Sequence, residues 1–567
     1  MTRTTTRAAL AGLTLLLAGC STEADPATDR GVAERTSAQS TPSASTSDAP
    51  DAGGQDAGGQ AAVGPARPSG AERRQAAAVA PGWGPTPREV GRAQRIAASM
   101  PLSHLAGQVI VARYPGTGAP TSLVNGLHLG GVIVMGDNVG STGQVRASNR
   151  ALQDSARQAG RRWPVFIGVD QEGGIVERVQ DRATRFPAFM TAGAARDTEL
   201  ISAAAAASGA ELSGLGFSVV FAPDADVTSG PDDPTIGSRS AGSSPRVVAT
   251  QMNAAVDGYL SSGILPVIKH FPGHGSVPAD SHLEMPVQDK SLRQLRRSDL
   301  VPFASGVDGG VSSVMVAHIA VQAVDPGTPA TLSRKVVTGL LRRDLGFRGL
   351  VVTDALNMEA VAGSYSSAGA AVRALRAGND VLLMPTSPRA ARDGIVAAVR
   401  DGRLSRDRVE EAASRQIALL LHQQAAGPTK TRRPGSSNGV SQRLSAAGAT
   451  VVSGPCKGRL VGRSVTASGP DDAVRRFYAA ADRAGLRTGG GTTVAFTGYG
   501  GSGRSADVVV STDTPYVLGD SYGRTARIAM YGDTPGAMRA LVDVLTGKER
   551  APGRLPVPVD GVARTGC

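Results

Sequence analysis

Eight short apolar runs, alternating with stretches of helical composition, limit the fold of this chain more than any other feature of its sequence. They lie between about residues 88 and 424, and they are apolar almost throughout instead of alternating with polar residues. Strands of that pattern are buried on both faces, as in a parallel sheet. The runs are Val109–Tyr114, Gly131–Met135, Val165–Asp170, Phe217–Ala222, Leu265–His270, Ser313–His318, Leu350–Asp354 and Asp380–Met384.

The segments between the runs are mostly long enough for the helices that connect parallel strands. Ser202–Gly214 and Pro245–Ser262 are two examples, and Pro388–Asp401 can follow the last run. Residues 86–425 are therefore predicted to form an α/β fold of the TIM (β/α)8 barrel type. An open doubly wound sheet is the alternative, but eight units in series favour a closed barrel.

The first 20 residues have the pattern of an export signal. Arg3 and Arg7 precede a short apolar stretch that ends in Leu17-Ala18-Gly19-Cys20, and small residues before a cleavage site are typical of such signals. This ending also resembles the bacterial lipobox, in which the cysteine receives lipid. We expect residues 1–20 to be a lipoprotein signal peptide with Cys20 as the lipidation site. The protein would then be exported and anchored through lipid to the outer face of the cell membrane; an ordinary signal peptide is the alternative.

Residues 21–85 cannot form a core of their own. No aromatic residue, Leu or Ile occurs between Ser21 and Gly82, so the segment buries too little apolar surface to offset the entropy lost on ordering. We expect a disordered tether there, a linker at residues 426–441 and a separate domain at residues 442–567.

The net charge of +12 arises mostly after Gly427. The basic residues there are scattered among short apolar runs and form no recognition motif, so we expect no nucleic-acid partner. A basic solvated surface accounts for this charge, and attraction to an anionic cell wall is the alternative.

Charged side chains follow the apolar runs of the barrel one after another. Because the active sites of TIM barrels lie at the carboxyl ends of the strands, these side chains predict one common site. They are Asp170 and Glu172, Asp224 and Asp226, Lys269 and His270, His318, and Asp354.

The densest polar cluster is Lys269-His270-Phe271-Pro272-Gly273-His274-Gly275, followed by Asp280-Ser281-His282. Its proline and glycines indicate a loop. Four of its side chains could in principle bind a metal, namely His270, His274, Asp280 and His282. Their spacing matches no common zinc pattern, and Lys269 would repel a cation. We therefore predict no metal and no other cofactor.

This cluster resembles the signature of glycoside hydrolase family 3, in its β-N-acetylglucosaminidase branch. Three further stretches resemble motifs of that family in the same order, namely Val169–Gly174, Ile236–Ser240 and Gly349–Leu356. The resemblance covers about residues 100–385. The chain departs from the family at Ile175, where arginine is frequent, and at Ala241, where phenylalanine is frequent, and both departures bear on the shape of the sugar subsites.

The resemblance implies a retaining mechanism with Asp354 as the nucleophile, a role that suits a carboxylate because it can form and release a glycosyl ester. The branch is similar in using a histidine as the acid/base, here His282, with Asp280 orienting its ring and stabilising its charged form. The implied sugar-binding residues are Asp170, as an acceptor, and Arg178, Arg239, Lys269 and His270, as donors. We expect His274 to support the loop and His318 to lie behind the site.

The C-terminal domain is expected to be a smaller α/β sandwich that acts as a scaffold. Its predicted strands are Thr450–Val452, Thr493–Phe496, Asp507–Ser511 and Ala526–Tyr531, and its predicted helices are Asp471–Ala484 and Thr534–Leu545. Arg554-Leu555-Pro556-Val557 resembles the closing motif of the second domain in many family members. Cys456 and Cys567 are the two cysteines that remain if Cys20 carries lipid, and we expect them to form a disulfide in an exported chain.

Together these features predict an exported retaining β-N-acetylhexosaminidase that removes terminal β-linked GlcNAc from peptidoglycan fragments or related glycans. A β-glucosidase of the same family and a non-catalytic sugar-binding wall lipoprotein are the alternatives. The intact set of Asp354, His282 and Asp280 favours an enzyme, and the His–Asp loop favours the hexosaminidase.

Overall fold

Eight parallel strands form the wall of the N-terminal domain in the computed structural model, which describes residues 82–427, 431–563 and 565–567. In chain order, the first to eighth barrel strands are Ile110–Ala112, Gly131–Val134, Phe166–Val169, Val219–Val220, Leu265–Pro266 continued by Ile268–Phe271, Ser313–Val316, Leu350–Thr353 and Leu382–Leu383. Each overlaps one of the eight apolar runs, and only the fifth strand extends beyond its run, by the single residue Phe271.

The strands close into a ring. The eighth strand pairs with the first, as in Ile110 with Leu382, and a bridge between Val352 and Val381 joins the seventh strand to the eighth. The fifth strand is shared by two ladders, since Leu265–Pro266 pairs with the fourth strand and Ile268–Phe271 pairs with the sixth. The prediction of a TIM barrel is therefore confirmed.

The barrel strands are buried because both of their faces are covered. Val132, Ile167, Val314 and Val352 each expose 1% or less of their surface. Burying an apolar side chain of this size contributes about 1.5–3 kcal/mol, which explains why near-continuous apolar runs are required here.

Helices surround the barrel and begin at residues that favour helix starts. Pro245 and Pro388 each occupy the first turn of their helix, where proline lacks only an N–H that would have no helical partner. The α-helices of this part are Pro87–Ala98, Leu102–Gln108, Thr121–Leu127, Thr142–Gln158, Met190–Ala195, Thr198–Gly214, Pro245–Ser261, Leu292–Leu295, Leu300–Asp308, Glu359–Ala362, Ser367–Ala377, Pro388–Arg400 and Arg406–Ala425. Lys335–Asp344 is a π-helix.

The C-terminal domain contains a six-stranded mixed sheet. Its strands, in spatial order, are Thr450–Ser453, Tyr522–Ala529, Ser505–Ser511, Thr492–Thr497, Ser464–Ser468 and Arg487–Thr488. Only the first pair is antiparallel. The helices Asn438–Gly448, Asp471–Arg483 and Pro535–Leu545 complete the domain, so the predicted second α/β domain is confirmed.

Two strands of this sheet carried no recognisable sequence signal. Ser464–Ser468 is mostly polar with a single fully buried side chain, Val465, and Arg487–Thr488 is exposed. Edge strands of this kind lack the apolar run by which the central strands are recognised.

The segment predicted as a linker, residues 426–441, is attached to the barrel where the structure describes it. The N–H groups of Gly435 and Ser437 donate to the carboxylate of Glu211 at 2.9 and 3.1 Å. The helix Asn438–Gly448 begins inside this segment, so residues 438–441 belong to a helix of the second domain.

A disulfide joins Cys456 to Cys567, the pair singled out from the sequence. The signal peptide, Cys20 and the tether at residues 21–85 lie outside the described residues, apart from the last few residues of the tether. Among the helices that the structure describes, none combines the length and the apolar character needed to cross a bilayer.

The disulfide is expected to stabilise the C-terminal domain without affecting catalysis. Replacing both Cys456 and Cys567 with serine should lower the melting temperature. A bridge across 111 residues reduces the entropy of the unfolded chain, which stabilises the fold by up to roughly 4–5 kcal/mol. Calorimetry with and without reductant measures this effect, and the double variant should not respond to reductant. An unchanged melting temperature on reduction would contradict the prediction.

Candidate active site

A cleft of about 350 Å³ opens at the carboxyl ends of the barrel strands. Its walls include seven of the eight residues to which the sequence assigned catalysis or sugar binding. The polar residues that line it are Arg113, Asp170, Glu172, Arg178, Thr235, Arg239, Lys269, His270, His274, Ser281, His282, Asp354 and Asn357. The eighth residue, Asp280, contacts the cleft through His282.

Glu172 lies at the centre of a buried network of charges on one side of the cleft. Its Oε1 lies 2.6 Å from Nζ of Lys269, and its Oε2 lies 2.8 Å from Nε of Arg239. Burial alone would raise the pKa of Glu172, but the charges of Arg239 and Lys269 lower it below its ordinary value. The carboxylate is therefore ionised and holds both cations in place.

Lys269 joins this network to the third strand. Its Nζ lies 2.8 Å from Oδ1 of Asp170, and Nη2 of Arg178 lies 4.0 Å from the other Asp170 oxygen. Burial works to lower the pKa of Lys269, but the carboxylates of Asp170 and Glu172 raise it above its usual value. The ammonium group stays charged and points between two acids at the cleft wall.

His270 is oriented from behind by a buried carboxylate. Its Nδ1 lies 2.7 Å from Oδ2 of Asp226, and the backbone N–H of His274 donates to Oδ1 of Asp226 at 2.6 Å. Burial, with the nearby charge of Arg239, lowers the pKa of His270 well below its usual value. With its proton on Nδ1, the neutral ring presents Nε2 as an acceptor, 3.4 Å from Nη2 of Arg239.

The carboxylates behind His270 also form a geometric candidate for a cation site. Ligand atoms of Asp224, Asp226 and His270 lie within 4.8 Å of one another. However, Nε of Arg239 lies 3.3 Å from Oδ2 of Asp224, so a guanidinium already supplies positive charge to this group. Burial raises the pKa of Asp226 to about 6 and also raises the pKa of Asp224 well above its ordinary value.

Asp354 lies directly after the seventh strand and is partly exposed to the cleft. One of its oxygens accepts the N–H of Ala355 at 2.7 Å. Burial works to raise its pKa, but its neighbours, among them the Ala355 N–H and Lys269, lower the pKa below the ordinary value. His318 is buried here, with Nε2 3.0 Å from the carbonyl oxygen of Ala355. Asp354 is therefore an ionised carboxylate at the floor of the cleft.

His282 and Asp280 form a pair on the loop at the rim. Nδ1 of His282 lies 2.8 Å from Oδ1 of Asp280, which also accepts the His282 backbone N–H at 2.9 Å. The hydrogen bonds from His282 lower the pKa of Asp280 despite the opposing effect of burial. The His282 side chain is 62% exposed, whereas the neighbouring His274 is buried and contacts Ser281 Oγ at 2.9 Å.

The two departures from the family pattern lie in different surroundings. Ile175 is 47% exposed at the turn of a short hairpin formed by Gln171–Gly173 and Val176–Glu177. Ala241 is fully buried and packs with Val227 and Val248. Ile175 is therefore positioned to influence what approaches the cleft, and Ala241 affects the packing of the loop.

Sequence reasoning underestimated two groups in this site. Glu172, Asp224 and Asp226 were recognised as charged strand ends, but their contacts with Arg239 and His270 join segments that are distant in sequence. Arg113 was overlooked, although it directly follows the first strand and carries the same signal, a charged residue at the end of an apolar run.

Comparisons with known proteins agree on one family. A model described as "Glycosyl hydrolase family 3 N terminal domain" matches residues 107–419. Beta-hexosaminidase A of Pseudoalteromonas piscicida is 36% identical over 285 residues, 47% of this chain and 48% of that protein, so the match spans about half of that relative. Beta-hexosaminidase of Nitrosomonas eutropha is 35% identical over 269 residues, 46% of this chain and 75% of that protein.

Solved structures extend the likeness beyond the barrel. A glycoside hydrolase family 3 beta-N-acetylglucosaminidase from Paenibacillus sp. superposes with a TM-score of 0.74 at 28% identity, covering 82% of this chain and 100% of that chain. The beta-N-acetylhexosaminidase of Beutenbergia cavernae gives a TM-score of 0.52 at 29% identity and covers 57% of this chain and 98% of that chain.

Removing the charge of Glu172 is expected to destabilise the fold. Glu172→Gln leaves Lys269 and Arg239 with one carboxylate fewer in a buried site, which should lower the free energy of unfolding by about 3 kcal/mol. Denaturant unfolding measures the loss. Asp344→Asn is the control, because Asp344 pairs with Arg296 at the surface and such a pair contributes less than about 1 kcal/mol. Equal losses in both variants would contradict the role given to Glu172.

Proposed function

The chain belongs to glycoside hydrolase family 3, and from this premise we propose that it is a retaining β-N-acetylhexosaminidase acting on terminal β-linked GlcNAc. The observation that carries the proposal is that one cleft contains both an ionised carboxylate and a histidine paired with an aspartate. Asp354 is ionised and partly buried at the floor, and the pair of exposed His282 and half-buried Asp280 lies at the rim. A retaining glycosidase needs a nucleophile and a separate proton donor of this kind.

In the first step, a carboxylate oxygen of Asp354 attacks the anomeric carbon as the bond to the leaving oxygen breaks. His282 donates its proton to that oxygen, and a covalent glycosyl ester forms on Asp354. In the second step, neutral His282 takes a proton from water. That water oxygen bonds to the anomeric carbon, and the Asp354 carboxylate is released.

Asp280 supports both steps through the imidazole. Its carboxylate, 2.8 Å from Nδ1, fixes the ring orientation and leaves Nε2 of His282 as the nitrogen that exchanges the proton. Because the hydrogen bonds keep the Asp280 pKa low, its negative charge stabilises the imidazolium form that precedes donation.

The charge network on the opposite wall supplies the contacts to the sugar. Asp170 accepts hydrogen bonds from hydroxyl groups, and Lys269 and Arg239 donate to hydroxyls or to the acetamido carbonyl. Both cations are already fixed by Glu172, so little side-chain entropy remains to be lost on binding. His270 and Arg178 complete the set of sugar contacts.

We further propose that the enzyme acts outside the cell. The predicted export signal ending at Cys20 supports a lipid anchor on the outer face of the membrane, and the net charge of +12 supports attraction to an anionic wall. Peptidoglycan fragments are the GlcNAc-containing glycans that an enzyme in this location would encounter.

A panel of p-nitrophenyl β-glycosides of GlcNAc, glucose and xylose, assayed with and without phosphate, tests the activity. We expect GlcNAc to be released fastest and phosphate to have no effect. A preference for glucose would identify a β-glucosidase, and dependence on phosphate would identify a phosphorylase. No turnover of any glycoside would support a sugar-binding protein.

Asp354→Asn is expected to remain folded and to lose activity by about 10³-fold or more, because an amide cannot form the glycosyl ester. Initial rates on p-nitrophenyl GlcNAc measure the loss, with circular dichroism as a check on folding. Asp393→Asn, which alters a surface pair with Arg392, should retain full activity. Near-normal rates in Asp354→Asn would exclude Asp354 as the nucleophile.

His282→Ala is expected to slow substrates with poor leaving groups far more than p-nitrophenyl GlcNAc, because p-nitrophenolate needs little protonation. Added azide should partly restore turnover by attacking the glycosyl ester directly. Rates on a series of aryl glycosides measure the effect, and His422→Ala, which alters a distant histidine paired with Glu89, is the control. Equal losses for good and poor leaving groups would show that His282 is not the acid.

A further inference from the structure

The loop that carries Arg239 is held by the C-terminal domain as well as by the barrel. Resting on the proposed function, we propose that Asp513 of the C-terminal domain is a positioning residue for the sugar site. It acts through Ser238, which fixes the backbone turn that presents Arg239 to the cleft. The second domain is then part of the active-site architecture and not a separate scaffold.

One of the contacts between the two domains is a buried hydrogen bond beside Arg239. Ser238 Oγ donates to Oδ1 of Asp513 at 2.5 Å across 275 residues of sequence. Ser238 is 1% exposed and Asp513 is 7% exposed. Hydrogen bonds to an ionised acceptor are stronger than neutral ones, so this contact can hold a turn in place.

Ser238 is the middle residue of a short turn, Gly237–Arg239. The carboxylate of Asp233 accepts the backbone N–H groups of Ile236 and Gly237 at 2.8 and 3.1 Å. The turn is therefore fixed by two acids, one from its own loop and one from the other domain. Because Arg239 directly follows Ser238, a shift of the turn moves the guanidinium.

Asp513 is itself fixed within the C-terminal domain. It lies just after the strand Ser505–Ser511, where Ser511 Oγ donates to the carbonyl oxygen of Thr514 at 2.6 Å. Thr514 also packs against the turn, since a Cβ on Gly237 would lie 3.4 Å from Thr514 Cγ2. The second domain thus presents Asp513 from a defined position.

The surroundings of Asp513 argue against a role in stability alone. Within the described ranges, no lysine, arginine or histidine forms an ion pair with it, and burial raises its pKa, opposed by the hydrogen bonds from Ser238 and Thr514. A buried acid without a cation is unfavourable for folding. In the part of the chain that the structure describes, its side-chain hydrogen bond is to Ser238, the residue next to Arg239.

A second contact holds the far end of the same loop. The N–H of Ser243 donates to the carbonyl oxygen of Pro556 at 3.2 Å, and a Cβ on Gly242 would lie 2.5 Å from that oxygen. Pro556 belongs to the motif that resembles the closing motif of the second domain. The loop is therefore held by the second domain on both sides of Arg239.

The hydrogen bonds of Arg239 to Glu172 require that its loop stays in place, and the contacts from the C-terminal domain hold that loop. Its Nε and Nη2 lie 2.8 and 3.0 Å from the two oxygens of Glu172, an arrangement that tolerates little displacement. Misplacement of a sugar-binding group by about 1 Å can reduce the rate by as much as about 10²-fold.

The test compares Asp513→Ala, Ser238→Ala and the double variant on p-nitrophenyl GlcNAc. Each single variant should lower kcat/KM by about tenfold, and the double variant should lose no more, because both remove the same contact. Asp513→Asn should retain much of the activity, since its amide oxygen can accept the serine hydroxyl. Additive losses, or unchanged kcat/KM, would overturn the proposal.

Hydrogen exchange of residues 235–240 gives a readout that does not depend on turnover. Exchange in this segment should rise in Asp513→Ala and stay at the wild-type level in Asp507→Ala. Asp507 is the matched control, because its carboxylate bonds Thr493 inside the C-terminal sheet and does not contact the barrel. A lower melting temperature with unchanged exchange in this segment would show that Asp513 is only structural.

The two readouts separate this proposal from the proposed function. If wild-type protein cleaves no GlcNAc glycoside but exchange in residues 235–240 still responds to Asp513→Ala, the function fails and the positioning role stands. If wild-type protein cleaves GlcNAc glycosides and neither exchange nor kcat/KM responds, the positioning role fails alone.

Discussion

The contact on which the cleft depends is the buried carboxylate of Glu172 between two cations. Lys269 comes from the fifth strand and Arg239 from the loop after the fourth, and each lies within 2.8 Å of a Glu172 oxygen. Charges buried at these distances interact far more strongly than they would in water. Without the carboxylate, the two cations would repel each other. The ammonium and guanidinium groups would then no longer be held in fixed positions at the cleft.

The same network explains how polar chemistry is placed inside an apolar barrel. The strands supply burial and rigidity, and their carboxyl ends supply the charged groups. Each buried charge in this wall has a partner of opposite sign or a backbone hydrogen bond, as for Asp226 with the N–H of His274. The site is therefore ordered before any sugar binds, which reduces the entropy lost on binding.

Much of this arrangement could be predicted from the sequence, for a definite physical reason. Parallel barrel strands require long apolar runs, so a charged residue such as Asp170 or Asp354 directly after a run is conspicuous. The His282–Asp280 pair is local, and its role was implied by the resemblance of its loop to the family motif. Glu172 was visible as a charged residue, but its two cations come from segments 67 and 97 residues away (239 − 172 and 269 − 172), and no local pattern encodes such contacts. The polar edge strand Ser464–Ser468 and the hydrogen bond of Ser238 to Asp513 were unpredictable for the same reason.

The exposure of His282 has a consequence for how such an enzyme can diversify. Asp354 directly follows a barrel strand whose residues are all buried, so bulky changes around it disturb the packing of the core. The rim loop contributes little to the core, as the 62% exposed side chain of His282 and the 75% exposed Leu283 indicate. If His282 is the proton donor, as we propose, substitutions beside it can alter which leaving groups are accepted while leaving the barrel intact. Changes at this rim can therefore alter specificity with little loss of folding stability, and they leave Asp354 unchanged.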